Sequence, residues 1–170
     1  MAFFPGTPDN DLIVGTLAGD LILGGDGNDG IFSLDGDDTV FGGNGVEIII
    51  GGGGNDFLFG DDGNDVIFGD VQLVGGVSGN DFISGGNGDD VAFGGAGNDT
   101  INGDAGNDVL DGEDGNDSLN GGDGLDVLTG GNGDDQLFGN TGDDRLFGDA
   151  GNDFLNGEIG NDVLFGGDGE

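Results

Sequence analysis

The chain has 170 residues, of which only 33% are hydrophobic and 46 are Gly, too little apolar material for a conventional thick core. Acidic residues number 36 against a single cation, Arg145, and the net charge of -35 excludes the basic footprint that nucleic acid requires and leaves a compact chain repelling itself. With no His and no Cys, disulfides and the usual Zn and Cu ligands are excluded, so any metal must be held by oxygen, a ligand set that suits hard cations and Ca²⁺ best. In the absence of such counterions this composition predicts a disordered chain.

Residues 1–5 read as a lead-in. The opening MAFFPGTPDNDL has neither a basic n-region nor a long apolar stretch, and no later run approaches membrane-spanning length, so neither a signal peptide nor a membrane span is expected. From Gly6 onward the sequence divides every nine residues, with one slip, into seventeen units and a stub, Gly166 to Glu170. Residues 6–170 therefore form a single domain. The first units are GTPDNDLIV (6–14) and GTLAGDLIL (15–23), which carry Asp9 and Ala18 where later units have a third glycine. Unit four replaces its first two glycines by Ser33 and Leu34, and unit five has Glu47 behind Val46. Regular units follow, GGGGNDFLF (51–59) and GDDGNDVIF (60–68), and then unit eight, in which Val71 to Ser78 occupies one column as a looped insertion. From GGNGDDVAF (85–93) to GEIGNDVLF (157–165) the pattern is unbroken.

Column six of the unit is a carboxylate in every case, and column eight is a branched aliphatic in all units but one, Ala92. The Gly-rich half, columns one to six, rules out helix, since Gly costs about 1 kcal/mol per helical position. The apolar half, columns seven to nine, must then be strand. Three residues are stable as a strand only when stacked on identical strands about 4.8 Å away, which makes the chain a solenoid. Glycines at columns one, two and four supply the positive backbone angles and close approach of a tight turn. Two units close one coil, with column eight inward and columns seven and nine outward. A bare carboxylate ladder at this spacing costs on the order of 3 kcal/mol per adjacent pair at an effective dielectric near 20, so each rung needs a cation.

The units resemble GGxGxDxUx, the repeats-in-toxin or haemolysin-type calcium-binding nonapeptide, over residues 6 to 170. The resemblance implies an all-β, right-handed parallel β-roll (β-solenoid) in which successive turns on one side share a Ca²⁺ ion. The implied ligands are column-six carboxylates of both turns with backbone carbonyls of columns one to four. The metal-site residues it implies are Asp29, Asp38, Asp56, Asp65, Asp81, Asp90, Asp99, Asp108, Asp117, Asp126, Asp135, Asp144, Asp153 and Asp162. Seventeen units allow fifteen such pairs, whose ions would offset most of the charge, and eight of these pairs involve no departing unit. The resemblance also implies an exported protein that folds in millimolar calcium outside the cell, as a structural or binding module. The alternative is a polysaccharide-binding or polysaccharide-processing accessory module.

Other signals are weaker. Gly25 to Gly30 matches GxGxxG without a strand-to-helix context, no segment makes an EF-hand loop, and the sequons at Asn98 and Asn116 fall inside the repeat turns. Without His, Cys, Lys, Tyr or Trp, and with Asp committed by column, catalysis is not expected. Ice binding would align Thr in column three, where only Thr141 stands. The outward columns of odd units, with Phe32, Ile50, Phe68, Phe93, Phe147 and Phe165, make an apolar face suited to a second copy or a protein partner, whereas Ser84, Asn102, Asn120 and Asn156 make the other face more polar.

Overall fold

The computed structural model describes residues 1–70 and 78–169. They form two parallel sheets of nine strands each, and successive strands alternate between the sheets. One sheet runs from Phe3–Pro5 and Leu21–Asp26 to Gln136–Thr141 and Phe154–Asn156, and the other from Leu12–Val14 and Gly30–Asp35 to Arg145–Ala150 and Val163–Phe165. Each strand pairs with the strand two units on, eighteen residues away except across the insertion, so identical columns stack: Ile101 on Leu119 and Leu119 on Leu137. This is the parallel β-solenoid expected from the nine-residue period. No helix among the described residues is long and apolar enough to cross a membrane.

Most strands are twice the expected length. They continue past the apolar half into columns two and three of the next unit, as Asp104↔Gly122 and Ala105↔Asp123 show, with column one skipped at the corner. The roles of the glycines separate accordingly. Column-one glycines do not take positive φ; they are required because a Cβ on Gly94 would strike Asp99 Oδ2 and lie 2.9 Å from Gly112 O. Column four is where φ is most restrictive, +151° at Gly97 and +149° at Gly115, a region essentially closed to side chains. Column two is more permissive: Leu34, Asp61, Asp104, Glu113, Asn140, Asp149 and Glu158 all sit there with φ between 65° and 82°.

The core is the column-eight ladder, from Ile22 to Leu146, buried between the sheets, with Phe4, Ile13 and Leu155 packed against its ends. It is one side chain thick from each sheet. Phe3–Pro5, set aside as a lead-in, adds a rung of its own, with Phe4 opposite Ile22. The insertion at 71–78 lies, apart from Ser78, outside the described residues. On either side of it the register resumes, Leu58↔Ile83 and Ile67↔Ala92, and Gly79 N–H donates to Asp70 Oδ2 at 3.0 Å.

Outward residues form aromatic stacks along both faces. Phe68 lies flat on Phe93 and Phe147 on Phe165 on one sheet, as expected. The other face is not uniformly polar: Phe41 stacks on Phe59 at 4.8 Å, and Phe57 and Phe82 join them. Only its later rungs, from Ser84 onward, carry Asn and Ser.

Candidate metal centres

Column six sits where the turn re-enters the strand, and its side chain folds back under the turn into the roll. From Asp29 to Asp144 the implied ligands are no more than 3% exposed. One carboxylate oxygen of each is used structurally: Asp99 N–H donates to Asp117 Oδ1 at 2.7 Å, Asp117 N–H to Asp135 Oδ1 at 2.8 Å, and the pattern runs from Asp11 N–H to Asp162 Oδ1. The other oxygen points to the column-one glycine and has no donor. Thirteen of the fourteen residues, Asp29, Asp38, Asp56, Asp65, Asp81, Asp90, Asp99, Asp108, Asp117, Asp126, Asp135, Asp144 and Asp153, bury Oδ2 without a hydrogen bond. Asp162, at the last rung, is half-buried and is not among them.

Glu47 interrupts the ladder. Its longer side chain buries both carboxylate oxygens, and neither makes a hydrogen bond. The turn carbonyls add neutral oxygens: among the described residues no backbone N–H bonds the column-four carbonyls, such as Gly97 O and Gly115 O.

The electrostatics follow from this placement. Burial pushes Asp56, Asp108 and Asp117 up to about 7 and Asp38, Asp90, Asp99 and Asp126 up to about 6; the N–H each accepts works in the opposite sense, and neighbouring carboxylates add to the rise. Asp81 is pushed to about 8 by the same burial, and Glu47, Asp65, Asp135 and Asp144 are also raised, burial leading in each case. Asp20 behaves differently. Burial pushes it up, but bonds from Ala2 N–H and from the Thr16 hydroxyl and N–H outweigh this and hold it below the usual carboxylate range.

A buried carboxylate with one oxygen left without a donor is costly, and thirteen stacked ones favour a cation between the rungs or, failing that, protonation. The donor set fits Ca²⁺, which accepts carboxylate and carbonyl oxygens in flexible geometry. Among the described residues no three His, Cys, Asp or Glu side chains converge on one point. A cation here would therefore draw on few carboxylates, with the uncovered carbonyls of the turns completing its shell.

A second ladder, in column five, was not anticipated. Asn98 N–H donates to Asn80 Oδ1, Asn116 N–H to Asn98 Oδ1 and Asp134 N–H to Asn116 Oδ1, all at 2.7–2.8 Å. The Asn or Asp in this column was visible in most units, but its role depends on stacking that a single unit does not display. Val46 and Leu125 still donate their N–H groups to Asn28 Oδ1 and Asn107 Oδ1 but offer the next rung no acceptor.

Stacked parallel rungs, buried carboxylates with one free oxygen each and glycine-lined turns make a parallel β-solenoid with oxygen-rich turns suited to Ca²⁺. Residues 5–40, 41–72, 75–110, 102–137, 111–146 and 138–170 match the family model of the RTX calcium-binding nonapeptide repeat, and the chain belongs to that family. No individual curated protein matches the chain.

Proposed function

We propose that this chain is an exported calcium-binding module whose folding is the uptake of many Ca²⁺ ions, acting outside the cell as a structural or binding element and not as a catalyst. The reading rests on the thirteen buried Oδ2 atoms without a donor. At neutral pH those charges oppose the folded state, and calcium placed between them removes the opposition, so metal binding free energy becomes folding free energy. Millimolar extracellular calcium would hold the roll together, and the lower calcium of a cell interior would leave it extended. The ligands are Asp29 to Asp162 in the order given above, with fifteen inter-rung sites as the upper limit set by the repeat. Circular dichroism in chelator and then in calcium tests this: β-structure that appears only with calcium supports it, and a chain already β-rich in chelator at pH 7 refutes it.

The same reading includes association through the aromatic outer faces. Phe57 is 52% exposed within its cluster, and Phe165 is 54% exposed beside Phe147. Contiguous apolar surface of this kind suits a second copy or a protein partner. Sedimentation of the calcium-loaded chain as a monomer at high concentration would remove self-association.

A further inference from the structure

The first two units handle their column-six carboxylates differently from all later ones. Asp11 and Asp20 are not among the residues with a buried unpartnered Oδ2. In unit one, Thr7 N–H donates to Asp11 Oδ2 at 2.6 Å, and the Thr7 hydroxyl lies 2.9 Å from the same oxygen and 3.4 Å from Asp9 O. Unit two repeats this arrangement. Thr16 N–H donates to Asp20 Oδ2 at 2.7 Å, with the Thr16 hydroxyl 2.8 Å from Oδ2 and 3.2 Å from Ala18 O. Asp9 and Ala18 are the column-four residues, so each hydroxyl faces the two kinds of oxygen, column-six Oδ2 and column-four carbonyl, that later units leave without a donor.

The backbone accommodates this exchange. Later units use column two in the strand, as Gly52 N–H donating to Gly69 O shows. The strands that lead into the first two units, Phe3–Pro5 and Leu12–Val14, instead stop at column nine, and the column-two amides of Thr7 and Thr16 turn to the carboxylates. Neither Thr7 nor Thr16 takes positive φ, and column four can hold Asp9 and Ala18 because it too stays out of that region.

We propose that Thr7 and Thr16 replace calcium in the first coil, residues 6–23, making it a metal-free cap on which the calcium ladder is built. A hydroxyl and an amide supply to Oδ2 the positive partner that an ion supplies elsewhere. The cap thus presents to the next coil an end whose shape does not depend on calcium. It also shields the ladder's first rung, since Asp11 N–H and Asp20 N–H still donate to Asp29 Oδ1 and Asp38 Oδ1. This inference rests on the calcium-dependent reading above and narrows which rungs take part.

Native mass spectrometry of the calcium-saturated full chain tests it. The double variant Asp11→Asn with Asp20→Asn should retain the parent's ion number, whereas Asp108→Asn with Asp117→Asn should bind fewer ions. Restoring the glycine pattern by Thr7→Gly, Asp9→Gly, Thr16→Gly and Ala18→Gly together should add one or two ions. Loss of an ion in the first variant, or no gain in the last, overturns the proposal. Should the variants fail to fold, a crystal of the unmodified calcium-loaded chain decides: an ion on Asp11 Oδ2 or Asp20 Oδ2 refutes the cap, and ions confined to later rungs support it. A parent that binds no calcium at all would instead sink the proposed function, a separate outcome.

Discussion

Replacing Gly115 by Ala tests the turn geometry on which every rung depends. Gly115 holds φ at +149°, and a Cβ there would overlap Gly97 O and lie 2.6 Å from the Gly97 carbonyl carbon. Forcing a side chain into that backbone region costs about 1–3 kcal/mol, and pushing back the adjacent rung costs about as much again, so about 4 kcal/mol is expected. For a chain of this size each kcal/mol lowers the melting temperature by about 2–4 °C, giving a fall of about 8–16 °C in calcium followed by circular dichroism. The calcium midpoint is a blunter readout. If about eight ions enter together, 4 kcal/mol spread over them raises the midpoint only about twofold. The control is Glu113→Ala in column two of the same unit, where a side chain already occupies φ of 69°. That change should cost at most about 1 kcal/mol, or about 2–4 °C. Equal losses from the two substitutions would refute the distinction between the columns.

Acid should substitute partly for metal. The raised carboxyls of Asp56, Asp108 and Asp117 favour the folded state fully below their unfolded value near 4, and that contribution is lost as pH rises through about 7. In chelator, β-structure should therefore increase as pH is lowered from 7 to 4, while in calcium the midpoint concentration should rise on acidification because protons compete for the same oxygens; a chelated chain unchanged across this range contradicts the burial argument. Leu119→Ala, in the middle of the thin core, should destabilise by about 2–5 kcal/mol in thermal melts at saturating calcium. Leu125→Asn should restore a column-five acceptor toward Asp143 and raise stability by about 1 kcal/mol; no rise in melting temperature would show that the column-five ladder adds nothing.

Strand positions, inward column eight and the carboxylate of column six were legible because each is a property of one unit repeated. Features that exist only between rungs were not. The continuation of the strands through columns two and three depends on the corner at column one, which glycine content alone does not place. The Asn80–Asn98–Asn116 ladder needs the stacking before its acceptors meet their donors. Asp9 and Ala18 marked the first units as irregular, yet the reason lay in Thr7 and Thr16, whose hydroxyls meet the carboxylates only once the turn has closed. Phe3–Pro5 carries no carboxylate or glycine marker of its own and so escaped the nine-residue cut, although Phe4 has the aliphatic partner Ile22 that column eight requires.

The central claim is that charge compensation within the turns, more than apolar burial, makes this chain compact. Small-angle X-ray scattering during a calcium titration at pH 7 addresses it directly. A folded chain of this length has a radius of gyration of about 16 Å and an unfolded one about 44 Å. The chain should show the larger value, or more, in chelator and collapse cooperatively toward the smaller as calcium is added. A radius near 16 Å in chelator would contradict it.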